Sequence, residues 1–210
     1  MSNALQQNDE WFKARRGKFT GSCFKYLVNK GRGKDFTEQG YTYIRKVVAE
    51  RMGSYEIQTS NKACDWGNDN EQLAIDEYES LTGLTLEEAG FTLHDSYDFV
   101  GCSVDGDIVG EKGIVEVKNP YNPANYIRYC TDESYILKEH GSQIYGNMWV
   151  KESDYCDFIA FDKRNEIAPI FIKRFYRDED KINKIQERVL LAESVAKSML
   201  ESIIKNDVEF

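Results

Sequence analysis

Apolar and polar positions divide the chain into helical and extended stretches. Residues 11–30 carry a helical pattern with a break near 17–21. Thr37 is placed to cap a helix over 37–52, where Ile44, Val47, Val48 and Arg51 recur at the helical period and Gly53 stops it. A second helix spans 66–82 and ends at Gly83. The period then shortens. Short apolar or alternating runs at 91–94, 99–104, 107–109 and 114–118, separated by Gly and Asp, predict successive strands of a meander. After Pro120 and Pro123 a helical region runs over 124–150, and strands follow at 155–161 and 167–175. A long helix closes the chain. Its positions Ile182, Ile185, Val189, Ala192, Ala196, Met199 and Ile203 form an amphipathic stripe, which is the pattern of core packing. The fold class is therefore mixed α/β: a central mixed sheet flanked by helices, with a long C-terminal helix. Three prolines and no low-complexity linker make residues 1–210 one domain.

Composition narrows the function. With 41% hydrophobic and 30% charged residues the chain is neither disordered nor fibrous. No apolar run approaches the about 18 residues of a membrane span. Residues 1–10 are polar and carry no apolar signal region, which points to the cytoplasm. Five cysteines without a CxxC pair read as reduced packing residues, and two histidines make a His/Cys zinc site a poor expectation. A resident metal should be hard and carboxylate-bound. The net charge of −9 argues against a nucleic-acid partner, but its distribution argues the other way. Eight cations and no acid lie between Lys13 and Lys34. They form either a solvated face or a local field that steers a polyanion.

The chemistry concentrates in Gly101-Cys-Ser-Val-Asp-Gly-Asp107 and Gly113-Ile-Val-Glu-Val-Lys-Asn-Pro120. Asp105 is expected at the end of one strand. Glu116 and Lys118 on the next share a face, with Val115 and Val117 turned the other way. A hairpin would bring Asp105 alongside Glu116. Two adjacent carboxylates repel unless a divalent cation neutralises them. Asp105, Glu116 and a backbone carbonyl such as that of Val117 suit Mg²⁺, which keeps room for water and phosphate. Lys118 would orient or deprotonate the attacking water and stabilise developing charge. A hairpin with an exposed Glu–Lys pair is the plain alternative. Glu71 begins the apolar stripe Ala74, Ile75, Tyr78 and Leu81, so it needs a metal, a water or a cation as partner; a capping or salt-bridged glutamate is the alternative. Gln143 shares a helix face with Ile136, His140 and Asn147, where an amide positions a water or a phosphate oxygen or merely faces solvent.

Together these segments resemble the phage lambda exonuclease / YqaJ viral recombinase family. Trp11-Phe-Lys-Ala-Arg15-Arg-Gly17-Lys-Phe-Thr-Gly-Ser22 is similar to its opening W-x3-R-x2-G-x-[IF]-T-x-S segment. Trp66-Gly67-x3-Glu71, Gly101-x-Ser-Val-Asp-Gly106, Val115-Glu-Val-Lys-Asn-Pro120 and Gln143-x4-Met-Trp149-Val match further blocks in the family order. One departure is Val104, where the family has a proline that stiffens the approach to Asp105. The resemblance implies a PD-(D/E)xK restriction-endonuclease-like core. It also implies Mg²⁺-dependent 5′→3′ digestion of one strand of double-stranded DNA to mononucleotides, leaving a 3′ overhang, with Mn²⁺ able to substitute. Ring-shaped homotrimers and a phage single-strand annealing protein as partner are implied too. By match of position, Asp105 and Glu116 bind metal, Glu71 holds the second metal or its water, Lys118 is catalytic, and Arg15, Ser22 and Gln143 handle the 5′ phosphate and scissile region. Lys13, Arg16 and Lys18 join Arg15 as DNA-binding residues of the basic stretch. A restriction-type or structure-specific endonuclease on the same core is the rival enzyme. A non-catalytic DNA-binding relative is the rival from another class, and the intact set Asp105, Glu116 and Lys118 speaks against it.

Overall fold

The computed structural model describes residues 6, 8–55 and 62–206. The N-terminal segment from which a cytoplasmic address was expected lies largely outside them, as does the side chain of Cys64. Helix α1 (Asp9–Arg15) is capped by Asn8, whose side chain accepts from the Trp11 N–H at 2.8 Å. Strand β1 (Phe19–Thr20), a 3-10 turn (Gly21–Cys23) and the short helix α2 (Lys25–Val28) follow. The expected break near 17–21 is thus occupied by a strand too short for its pattern to register. Helix α3 (Glu38–Arg51) is capped by Thr37 as expected. Helix α4 (Lys62–Thr82) starts earlier than its periodicity suggests and ends at Gly83 with φ 71°.

Strands β2 (Leu86–Glu87), β3 (Thr92–His94), β4 (Tyr97–Cys102), β5 (Gly106–Ile108) and β6 (Gly113–Lys118) do not form one meander. β4 pairs with β3 and, in parallel, with β1, making a three-stranded sheet. β5 and β6 enter a five-stranded sheet ordered β2-β5-β6-β7-β8 with β7 (Tyr155–Phe161) and β8 (Ile170–Tyr176). The expected central mixed sheet is this second one, in which β6 and β7 run parallel and the other pairs antiparallel. The chain crosses between the sheets at residues 103–105, and the site described below is built around that crossing.

The expected helix over 124–150 is two helices, α5 (Pro123–Thr131) and α6 (Glu133–Lys151). Asp132 is extended and its side chain accepts from the Tyr135 N–H at 3.0 Å, so it caps a new helix instead of continuing the old one. Helix α7 (Glu179–Asn206) buries Ile182, Ile185, Val189, Ala192 and Ala196, while Ile203 is 43% exposed beyond the surface it packs on. It also holds the N-terminal region. Glu193 pairs with Arg51 of α3 at 2.6 Å, Arg51 Nε donates to the Gly17 carbonyl at 2.9 Å, and the Gly17 N–H donates to Glu50 at 2.8 Å.

The two faces of the second sheet pack separately. Ile114, Cys156, Phe158 and Ala160 join the larger core under α6 and α7. Val115, Val117, Ile159 and Phe161 pack with Ala74 and Tyr78 of α4. Asp157 lies on the α4 face and is only 2% exposed. Arg174 donates to both its oxygens at 2.8 Å, and Tyr78 Oη donates at 2.7 Å. Arg174→Leu should destabilise the fold by about 2 kcal/mol, since Tyr78 remains as a single partner to a buried carboxylate. Urea unfolding checks this, and an unchanged midpoint would show the pair to be without net value.

Candidate active site

The crossing between the sheets sends two side chains in different directions. Ser103 turns toward α1. Its Oγ accepts from Trp11 Nε1 at 2.8 Å and from Arg15 Nη1 at 3.1 Å. Asp105 turns toward β6, where its Oδ2 accepts from the Val117 N–H at 2.6 Å; its own N–H donates to the Val115 carbonyl at 3.1 Å. It sits in the crossing one residue before β5, not on a strand as expected. Val104, at the family's proline position, is buried in the core.

On β6, Glu116 and Lys118 project together and are hydrogen-bonded to each other, as the two-residue period requires. Glu116 is buried at 1% exposure. Its second oxygen accepts from Asn147 Nδ2 of α6 at 3.0 Å. A strand residue aims its N–H and C=O at the same neighbour. The Val117 carbonyl therefore lies on the Asp105 edge of β6, where a third oxygen was expected.

Glu71 comes in from α4. Burial and then the negative charge of Asp105 push its carboxyl up to about 7. Glu116 is likewise pushed to about 7, by burial first and then by Asp105 and Glu71, against the pull of Lys118. Asp105 is raised by burial. Burial opposes the Lys118 charge, but Glu116 and Asp105 outweigh it and drive its pKa upward. Leu81, placed on the same stripe as Glu71, is 60% exposed, so α4 buries its stripe only as far as Tyr78.

Among the described residues no three His, Cys, Asp or Glu side chains enclose a cation by themselves. Mg²⁺ does not need that, since it takes one or two carboxylates and fills its octahedron with water and phosphate. Glu71 and Glu116, pushed to about 7 by burial and then by neighbouring negative charge, are residues a divalent cation would relieve. The donor set thus fits a hard divalent ion, which Asp105, Glu116 and the Val117 carbonyl could hold with Glu71 beside them. Without metal, acids with raised folded-state pKa values cost stability as they ionise. The metal-free fold should lose stability as pH rises from the usual carboxylate range through about 7. Thermal unfolding should show a lower midpoint at about pH 8 than at about pH 6, and Ca²⁺ should raise it more at the higher pH. A Ca²⁺ shift independent of pH would contradict the shared site.

Helix α6 adds a polar face. Tyr129 Oη of α5 lies 2.9 Å from His140 Nε2, and His140 is lowered to about 3 by burial, Lys118 and Lys25. Gln143 is half-buried between His140 and Asn147 on this face. Asn147 is fully buried, and a Cβ on Gly21 would fall 2.1 Å from its Oδ1, so glycine is needed there for close approach. Asn147→Ala should weaken divalent-ion affinity by about 10–100-fold, because the carboxylate that would hold the ion, Glu116, loses its Asn147 partner. Calorimetry with Ca²⁺ checks this, and unchanged affinity would detach Asn147 from the site.

The cations separate. Arg15 bonds Ser103 and, through Nη2, Ser22 Oγ at 3.3 Å, with its guanidinium 4.1 Å from the Trp11 ring centre. It has no carboxylate partner among the described residues, and burial lowers its pKa. Arg16 stacks on Tyr55 at 3.7 Å, Lys18 lines a neighbouring groove, and Lys13 stands exposed on α1. Sequence reasoning missed Ser103 and Asn147 as members of the site. Ser103 sat within a motif without a role, and Asn147 sat on the polar face without a partner.

Residues 10–155 match the YqaJ-like viral recombinase domain. The Bacillus subtilis (strain 168) protein "Uncharacterized protein YqaJ" is 27% identical over 140 residues, 65% of this chain and 41% of its own length, so the chain spans well under two thirds of that relative. Among solved structures, an alkaline exonuclease (LHK-Exo) from Laribacter hongkongensis superposes with TM-score 0.84 at 25% identity over 96% of this chain and 99% of its own. The same enzyme in complex with dAMP matches equally, at 26% identity. A phage related exonuclease from Haemophilus somnus 129PT shares the fold, with TM-score 0.73, 20% identity, and 89% and 96% of the two chains covered. The acids, the lysine and the arginine cradle all lie inside the matched residues, and the chain belongs to the YqaJ-like viral recombinase domain family.

Proposed function

We propose that this chain is a metal-dependent deoxyribonuclease. It digests one strand of double-stranded DNA from its ends, 5′→3′, releasing mononucleotides and leaving a 3′ single-stranded overhang. The observation that carries this reading is the crossing at 103–105. It ties an acid–lysine cluster (Glu71, Asp105, Glu116, Lys118) to a half-buried arginine whose partners among the described residues are hydroxyls and rings. A cluster of that kind suits phosphodiester hydrolysis, and such an arginine suits a terminal phosphate. The similarity to an alkaline exonuclease over nearly the whole chain supports the same reading.

Mg²⁺ held by Asp105, Glu116 and the Val117 carbonyl, with Glu71 beside it, would neutralise phosphate charge and acidify a water; Mn²⁺ would serve in its place. Lys118 carries its proton in this arrangement, so it acts as a cation that orients the water and balances charge on the phosphate. Lys118 and Asn147 each donate to one Glu116 oxygen, which fixes the direction the carboxylate presents. Gln143 reaches the scissile region from the His140–Asn147 face. Arg15, Ser22 and Ser103 seat the 5′ phosphate, and Lys13, Arg16 and Lys18 extend the basic surface to the backbone. A ring-shaped homotrimer would keep an acidic exterior and a basic lumen, which reconciles a net charge of −9 with a DNA substrate. A phage single-strand annealing protein in the bacterial cytoplasm would receive the overhang. No helix among the described residues is long and apolar enough to cross a membrane.

Linear duplex and covalently closed circular DNA, each with Mg²⁺ and with EDTA, test the reading. Mononucleotides released from the linear form alone, and only with metal, support it. Cutting of the closed circle would replace it with the endonuclease reading, and binding without cleavage would leave the non-catalytic one.

A further inference from the structure

A cavity of about 1030 Å³ lies between α1 and α3. Trp11, Phe12, Tyr26 and Tyr55 give it rings, and Arg15, Arg16, Lys18 and Lys46 give it positive charge. Two of its acids are already engaged: Glu50 by the Gly17 N–H at 2.8 Å and Glu38 by Arg45 at 2.7 Å. Small-ligand pockets run to about 300–1,000 Å³, so the cavity exceeds what one mononucleotide needs. Rings interleaved with cations are the lining that single-stranded nucleic acid takes, because every base can stack and every phosphate can pair.

The groove and the phosphate cradle share a wall. Arg15 lines the groove while its two terminal nitrogens reach Ser22 and Ser103. Cys23, which also lines the groove, has its Sγ 3.9 Å from Ser22 Oγ. A pocket serving only a terminal phosphate would be closed behind the arginine. This one continues into a stacking surface where Arg16 lies 3.7 Å over the Tyr55 ring and Tyr55 is 53% exposed.

Resting on the nuclease reading above, we propose that this groove receives unpaired DNA lying 5′ to the phosphate at Arg15. The enzyme would then accept duplexes with single-stranded 5′ extensions and make its first cut inside the strand. In that step the water oxygen bonds to the scissile phosphorus, the phosphorus–O3′ bond breaks and O3′ takes up a proton. The phosphate stays on the retained strand. The products are a short oligonucleotide with a 3′-hydroxyl and a duplex with a 5′-phosphate end, which is then degraded one nucleotide at a time.

The test compares two duplexes, with the full chain and Mg²⁺. One is blunt and 5′-phosphorylated. The other carries an unpaired 5′ extension of about six nucleotides, within the site sizes of single-strand grooves, and a fluorophore at its 5′ terminus. The first labelled product from the tailed duplex should be an oligonucleotide slightly longer than the tail. A labelled mononucleotide, or no cleavage of the tailed duplex while the blunt one is digested, overturns the proposal. Thr42→Trp places a bulky ring on an exposed α3 position of the groove wall, and Tyr55→Ala removes a stacking ring. Each should slow the tailed substrate by about tenfold, as loss of one stacked base does, and leave the blunt rate unchanged. The blunt rate doubles as the check on folding. Equal effects on both substrates, or none on the tailed one, overturn the proposal. Wild-type inactivity on both duplexes overturns the nuclease reading and the groove assignment with it.

Discussion

Lys118→Ala should lower turnover by about 10²–10³-fold, the range expected when a donor aimed at developing charge is lost. The side chain is hydrogen-bonded to Glu116, and its pKa is held up by Glu116 and Asp105. It would therefore meet a bound phosphate as an ammonium. Charge on the phosphate oxygens grows toward the transition state, so a fixed cation there helps the transition state more than the bound substrate. The loss should appear in kcat, with KM for duplex DNA nearly unchanged. Circular dichroism should report a native fold, because Lys118 lies at the half-exposed end of β6 and not in the core. Ca²⁺ binding should persist, since Asp105 and Glu116 remain. Activity within about tenfold of wild type would remove Lys118 from the chemistry. Loss of Ca²⁺ binding together with activity would instead make it a positioning residue for Glu116.

The parts of this site legible in the sequence are those set by local periodicity. Glu116 and Lys118 had to share a strand face, and Val115 and Val117 had to pack opposite, whatever the rest of the chain did. Thr37 announced its helix because a cap acts within one turn. The stripe from Ile182 to Ala196 was equally local. What stayed hidden depends on distant partners. β1 is two residues long and exists only because Phe19 and Thr20 find Val100 and Gly101. Turn residues marked where each short strand stops, but not which sheet the next one joins, so the meander expectation failed at residues 103–105. That crossing is also why Ser103 went unassigned: its partners Trp11 and Arg15 are about ninety positions away. Asn147 depended on the close approach of Gly21, which no helical wheel contains. Ile203 and Leu81 show the converse, a periodic stripe that outruns the surface available to bury it.

Arg15→Ala should erase the distinction between 5′-phosphorylated and 5′-hydroxyl ends. In the wild type, phosphorylated duplexes should be digested about 10²-fold faster, the value of a charge-assisted pair whose loss costs about 2–5 kcal/mol when it is shielded from water. The arginine is prepared for that role. Its guanidinium is stacked at 4.1 Å on Trp11, bonded to two serine hydroxyls, and unpaired with any carboxylate among the described residues. Burial lowers its pKa, and an arriving phosphate dianion would relieve that cost. In the variant, the rate on phosphorylated ends should fall to that on hydroxyl ends, while the hydroxyl rate stays nearly constant. Ser103→Ala should give a smaller effect in the same direction, because it removes a neutral hydrogen-bonding partner and not the charge. Initial rates on matched duplexes that differ only at the 5′ terminus measure all three. If Arg15→Ala slowed both substrates equally, the arginine would be gripping the DNA backbone in general. The link that the 103–105 crossing makes between cradle and carboxylates would then be architectural, not a means of setting the scissile bond one nucleotide from the end.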